Sequence, residues 1–190
     1  MPTGPAAVRR AVLDAAAEEF GRRGVAEVTL RDVAAAAQVN LGLISRYVGS
    51  RDDLIRAVFS DLTEQLVLEI RTDPTAPRGF EVDSVMGRWT RVVTHLVLVE
   101  PDATVIDGSP VVELAAVIER VYGLPGDAAR LRAAQILASA IGWRLFEPYL
   151  VSAAGLGGAP RGEVRDELTR THRRLGATPL PSPPDPPIVG

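Results

Sequence analysis

A chain of 190 residues with 46% hydrophobic and 24% charged content can build one full domain plus a small head. Its apolar runs are too short and too often broken by Arg, Glu or Asp to span a membrane, and zero cysteines exclude disulfides, thiolate catalysis and zinc-finger ligation. A net charge of −3 argues against indiscriminate nucleic-acid binding but leaves room for a local site.

The opening MPTGPAAVRR lacks an apolar signal core, so a cytoplasmic address is expected and residues 1–6 are expected to fray. The first helix, residues 7–23, puts Val8, Val12, Ala15, Ala16 and Phe20 on one stripe and stops at Gly24. Thr29 stands three residues before Asp32, a capping-box arrangement that starts a second helix. The small Ala34–Ala37 run lets another helix come close. Asn40 caps a third, short helix over residues 41–48. Ser50 and Asp53 repeat the capping box and open a fourth helix, expected to run from 51 to 70. Three helix starts within about 25 residues describe a helix-turn-helix.

The apolar positions support that reading. Val33, Ala37, Val39, Ile44 and Val48 can face Val12, Ala16 and Phe20. Leu41, Gly42, Leu43, Ser45, Arg46 and Tyr47 are then left largely outside, where Gly permits close approach and Arg or Ser can reach a base edge in a major groove. Base-reading candidates are Asn40, Leu41, Leu43, Ser45 and Arg46. Phosphate candidates are Thr29, Tyr47 and Arg51, with Arg31 added to the DNA-binding set. Arg51→Ala is expected to flatten the salt slope by ~0.9 per phosphate lost. The same spacing also describes a solvated turn between packing helices.

The remainder reads as helices separated by Pro- and Gly-rich breaks. Residues 72–79 form a loop, 80–99 a helix, 102–110 a loop and 111–122 a helix. A long helix covers 128–151, kinked or ended by Pro148. After a flexible break at 155–160, a charged helix spans 163–175. The tail, 178–190, holds six prolines and is expected to be disordered or polyproline-like. The expected architecture is all-α. A head spans 7–53, a helical regulatory and dimerisation domain 54–176, and the tail 177–190. Residues 1–56 carry eight Arg against seven acids, whereas the rest carries thirteen against seventeen. That asymmetry suits a DNA-binding head on an acidic body.

Residues 8–59 resemble the N-terminal domain of the tetracycline-repressor-like (TetR) family of bacterial transcription regulators. The resemblance rests on Val12-Leu13-Asp14-Ala15-Ala16, Phe20 and Gly24, then Thr29-Leu30-Arg31-Asp32-Val33-Ala34, Gly42, Tyr47 and Ser50-Arg51-Asp52-Asp53-Leu54. Three positions depart from the pattern. Gln38 stands where the family usually has Gly, Ser45 where it favours Tyr, and Val48 where it favours Phe. A left-handed backbone at Gln38 would make the turn costlier, and Ser45 changes the usual specificity pattern.

The resemblance implies a homodimeric repressor that leaves a palindromic double-stranded DNA operator when a small effector enters the body. Lining candidates for such an effector are Phe59, Leu62, Met86, Trp89, Val93, His95, Leu96, Tyr122, Trp143 and Phe146. An apolar stripe at helical spacing is equally what any bundle core needs. The helices through 131–145 and 165–175 correspond to the family's interface, where Ala133, Ala134, Ala138, Ala140 and Gly142 permit close approach. Intramolecular packing would use the same residues.

His95 and His172 show no nucleophile beside a base with a third orienting group. There is no Gly-rich phosphate loop or H-E-x-x-H helix. No catalytic residue, metal ligand, cofactor or membrane partner is therefore expected. The alternative function is a helical ligand-binding or scaffold protein of the same fold whose altered head no longer reads DNA.

Overall fold

Three side-chain caps set the N-terminal third of the chain, as seen in a computed structural model that describes residues 3–73, 84–99 and 109–178. Helix α1, Pro5–Arg23, starts two residues before the expected 7, inside the stretch expected to fray, because Pro at its first position gives up no helical hydrogen bond. Gly24, at φ 92°, ends it, and a 3-10 turn follows at Val25–Glu27. Helix α2, Leu30–Ala36, has a complete capping box: Asp32 N–H donates to Thr29 Oγ1 (3.3 Å), and Thr29 N–H donates to Asp32 Oδ2 (2.8 Å). Helix α3, Leu41–Tyr47, starts with Gly42 N–H donating to Asn40 Oδ1 at 2.9 Å. Helix α4, Arg51–Thr72, repeats the box through Ser50 and Asp53. Gly49 precedes it at φ 116°, where a Cβ would come within 2.5 Å of Asp53 Oδ2. Glycine is needed there twice over.

The body follows as α5, Val85–Val99; α6, Ser109–Tyr122; α7, Gly126–Ala153; and α8, Arg161–Ala177. Every α-helix and the 3-10 turn place the described residues in the all-α class, with no strand among them. Several boundaries differ from the sequence reading. Ser109 and Pro110 belong to α6, since proline is tolerated in a first turn that has no donor to satisfy. Helix α7 begins at Gly126 and runs through Pro148 to Ala153, so the proline does not end it. Helix α8 starts at Arg161, two residues early, with Pro160 as its N-cap. The expected helix start at 80–83, the loop residues 74–79 and 102–108, and the tail at 179–190 lie outside the described residues.

One continuous core joins head to body. Val12, Ala16, Phe20, Val33 and Ile44 pack with Leu54, Val58, Leu62, Leu66 and Ile70 along α4, then with Trp89, Val92 and Leu96 of α5. A smaller cluster of Ala115, Ile118, Leu124, Ala129 and Ala133 joins α6 to α7. Helix α4 is thus a shared beam, since burying its length fixes the head against the body. Arg10 of α1 reinforces the join with a fork onto Asp61 of α4, at 2.5 and 2.9 Å. No helix among the described residues is long and apolar enough to cross a membrane.

Candidate nucleic-acid interface

Helix α3 is held by a single deep anchor. Ile44 is 0% exposed against the core, while Leu41, Gly42, Ser45 and Arg46 stand at the surface. Leu43 and Tyr47, expected outside, are instead half-buried against the same core. They lie one helical turn apart and flank Ile44, so they steady α3 as well as edge its outer face. Val39 and Val48 pack there too, but only partly buried.

The outer face is polar at its centre. The Arg46 guanidinium lies over the Tyr47 ring, 5.4 Å from its centroid, a cation–π contact that limits its wandering. Asn40 spends its carbonyl oxygen on the cap, which leaves its amide N–H groups as donors. Arg31 on α2 is exposed. The structure also brings Arg9 to the edge of this face, where its Nη1 donates to Tyr47 O at 3.3 Å. Nothing in the sequence singled out Arg9, because its partner is 38 residues away.

Two phosphate candidates have other work. The Thr29 hydroxyl donates to Asp32 Oδ2 (2.7 Å) and accepts from Asp32 N–H, so the side chain is committed to the cap. These hydrogen bonds from Thr29 lower the Asp32 carboxyl pKa below its ordinary value, with help from nearby Arg23. The Ser50 cap does the same to Asp53. Arg51 turns inward: Nη2 donates to Val25 O at 2.6 Å and Nε to Val28 O at 3.4 Å. Val25 O also accepts from Val28 N–H at 3.4 Å, so the guanidinium adds a second, shorter bond there and a donor for Val28 O. Arg51 is therefore a clamp between turn and α4, which corrects its expected place on the phosphate edge.

The effector candidates separate into three groups. Phe59, Leu62, Met86, Trp89, Val93 and Leu96 are all buried in the main core. Within that group Phe59 and Trp89 stack at 6.2 Å, and Trp89 Nε1 donates to Thr63 Oγ1 at 3.0 Å. His95 lies elsewhere, half-buried in a 170 Å³ pocket with Arg51, Asp52, Ile55, Leu96 and Val99. Tyr122 and Phe146 are exposed, and Trp143 is half-buried on α7. The ten residues thus differ widely in burial, and Leu96 joins the main core to the pocket beside His95. Periodicity marked apolar faces but could not say which face each helix turns inward.

Comparison with known proteins agrees with this geometry. Residues 12–58 match the family described as bacterial regulatory proteins, tetR family. The HTH-type transcriptional repressor Rv3405c of Mycobacterium tuberculosis is 35% identical over 184 residues, covering 92% of this chain and 87% of that protein. The transcriptional regulator SCO4942 of Streptomyces coelicolor shares the fold, with a TM-score of 0.62 at 21% identity over 88% of this chain and 97% of that one. So does the multidrug binding protein EbrR, in complex with imidazole, with a TM-score of 0.59 at 20% identity over 92% and 96%. With its capped helix-turn-helix, outward α3 and full-length likeness to a regulator, this chain belongs to the TetR family of DNA-binding transcriptional regulators, and it is not an enzyme.

Proposed function

We propose that the protein is a cytoplasmic, homodimeric repressor that reads an inverted-repeat operator and is released by a small, mostly apolar ligand. The observation that carries this is α3 itself: one fully buried isoleucine at its back, and Gly42, Ser45 and Arg46 exposed in front. In this reading Asn40, Leu41, Ser45 and Arg46 meet base edges, Gly42 lets the backbone approach, and Arg31, Tyr47 and Arg9 meet phosphates. The repressor's sign is supported by the name of the Mycobacterium tuberculosis relative.

The second copy binds along α7 and α8. Leu131, Leu145, Phe146 and Tyr149 of α7 are exposed, as is Leu156 in the connection to α8, a concentration of large apolar groups that a lone subunit gains nothing by showing. A two-fold dimer presents its recognition helices about 34–36 Å apart, one turn of DNA. The head ends near residue 53, and α4 carries motion from the body to it. A ligand must bind the non-operator state better than the operator state, because equal affinity for both shifts nothing.

Selection of binding sites from random duplex DNA with the full chain tests the reading. Enrichment of an inverted repeat with half-sites about 10 base pairs apart is expected. Recovery of no preferred sequence would overturn it in favour of a DNA-free ligand-binding protein.

A further inference from the structure

Helix α3 has a single aromatic residue, Tyr47, and it stands at the last position of the helix. Three hydrogen bonds fix the chain there. Val48 N–H and Gly49 N–H both donate to Ile44 O, at 2.8 and 3.1 Å, and Arg9 of α1 donates to Tyr47 O at 3.3 Å. The last carbonyls of a helix have no partner within it, so the Arg9 guanidinium satisfies one of them at the end that favours a cation. The Tyr47 ring packs half-buried on the main core. Tyr47 is therefore held twice, by its backbone and by its ring.

Arg46 leans on that ring alone. Its guanidinium carbon lies 5.4 Å from the ring centroid, and its side chain has no hydrogen bond or ion pair among the described residues. Neighbours on a helix leave it about 100° apart and do not ordinarily face each other, so the long arginine bends across to reach the ring. A contact with a ring face is made by charge and spends no N–H. The planar fork of donors stays available, and that fork is what pairs with guanine O6 and N7 together. An exposed arginine without a platform meets phosphate at least as readily as a base, and gives up its rotamer freedom on reaching either. One that rests on a fixed ring has given up part of that freedom beforehand, in one direction.

We propose that Tyr47 is a positioning residue for sequence specificity: its ring, fixed from behind, aims the Arg46 guanidinium at one guanine in each operator half-site. This rests on the operator reading above and deepens it. The Tyr47 hydroxyl keeps the phosphate contact given there, and the ring acts separately.

The test uses the full chain, the duplex recovered by selection from random DNA, a scrambled duplex of equal composition, and duplexes changed one base pair at a time. Tyr47→Phe is expected to keep the ranking of base changes while weakening every duplex alike. Tyr47→Leu is expected to relax the preference at one G·C pair per half-site by about three- to fivefold. Arg46→Ala is expected to relax that same pair by about tenfold or more, and adding Tyr47→Leu to it is expected to relax the pair no further. Even loss of affinity at all positions in Tyr47→Leu, or additive effects in the double variant, would mean that Tyr47 only holds the helix, and would overturn the proposal. So would a Tyr47→Phe chain that loses the preference, or an Arg46→Ala chain that keeps it. Should the leucine variant unfold, phenylalanines with one, two and three ring fluorines at position 47 keep the shape and drain the negative face of the ring. Stepwise loss of discrimination then supports the platform, and a flat response overturns it. An unmodified chain with no preferred sequence removes the operator reading and this one together. A sharp preference shared by every variant at position 47 removes this one alone.

Discussion

The head and the α7–α8 end of the molecule are built to different degrees of completeness. In the head, every short helix is capped by its own sequence and pinned by buried Val, Ala, Phe and Ile. In α7, 28 residues long, the buried residues are Ala129, Arg132, Ala133 and Leu137, all in its first half. The second half carries Phe146 at 57% and Tyr149 at 69% exposure. A helix that long cannot hold itself in place by propensity; it needs an apolar face covered. The head is finished as a single chain, whereas the second half of α7 leaves large apolar side chains uncovered.

The comparison can be broken most sharply at the head's single anchor. Ile44→Ala removes the one fully buried side chain of α3, at a cost of about 2–5 kcal/mol. Chemical denaturation is expected to show that loss, with sequence-specific DNA binding falling alongside it. If stability drops by less than about 1 kcal/mol, α3 is held by Leu43 and Tyr47 instead.

At the other end, Phe146→Glu with Tyr149→Glu places two carboxylates on the exposed face of α7. Each aromatic anchor at such an interface is worth about 2 kcal/mol or more. Sedimentation should show monomers, and the midpoint of unfolding of the isolated subunit should hardly move, because neither ring is buried within it. Affinity for a half-site alone should stay near its original value. A variant that remains dimeric would place the second copy elsewhere on the chain.

Two arginines separate structure from recognition inside the head. Arg51→Ala removes the charged donor shared by the carbonyls of Val25 and Val28, leaving Val25 O only its bond from Val28 N–H, at a cost of about 1.5–3 kcal/mol of stability. Its salt slope of DNA binding should stay unchanged, against the sequence-based expectation of a flatter one. Arg46→Ala has the opposite signature: unfolding is unaltered, and discrimination between operator and non-operator DNA falls by about 1–3 kcal/mol.

Acidification should loosen the two regions in different windows. Burial lowers the His172 pKa below its ordinary value, so its folded form resists protonation. Its ring, 3.1 Å from Ser139 Oγ on α7, costs the fold nothing at neutral pH. As pH falls below about 6.5, the unfolded chain takes the proton first and stability at the α7–α8 seam declines. Asp32 and Asp53 are acids with lowered folded values. They stabilise the head above the unfolded carboxyl pKa, near 4, and that contribution disappears as pH drops through the folded values. Hydrogen exchange across a pH series should therefore register α8 opening before α2 and α4 fray. The reverse order would mean that His172 is solvated in solution.

What the sequence disclosed follows the same division. Capping boxes at Thr29–Asp32 and Ser50–Asp53 are local, three residues across, so their helices could be read directly. The inward set Val33, Ala37 and Ile44 followed from periodicity over a few turns. Arg51 could not be read, because its carbonyl partners are 23 and 26 residues away in the chain. The unequal burial of the effector candidates was hidden for a related reason. Periodicity shows that Trp89 and Phe146 each lie on an apolar face, but only packing buries the first and exposes the second.

Gln38 is where sequence and geometry meet most economically. The left-handed backbone expected to make this turn costly is present, with φ 54°, the one positive value outside glycine among the described residues. The turn has no alternative: Val39 N–H must reach back to Ala34 O (3.0 Å) for α2 to close before Asn40 caps α3. A side chain on a left-handed residue crowds its own carbonyl, and glycine has no such penalty. The gain from Gln38→Gly is reduced because glycine also loses more freedom on folding. A net stabilisation of about 0.5–1 kcal/mol is expected, read as a small rise in the unfolding midpoint with DNA binding unchanged. A fall in stability would mean that the exposed glutamine side chain makes contacts worth more than the strain it imposes, and the head would then owe part of its completeness to a residue that breaks the local rule.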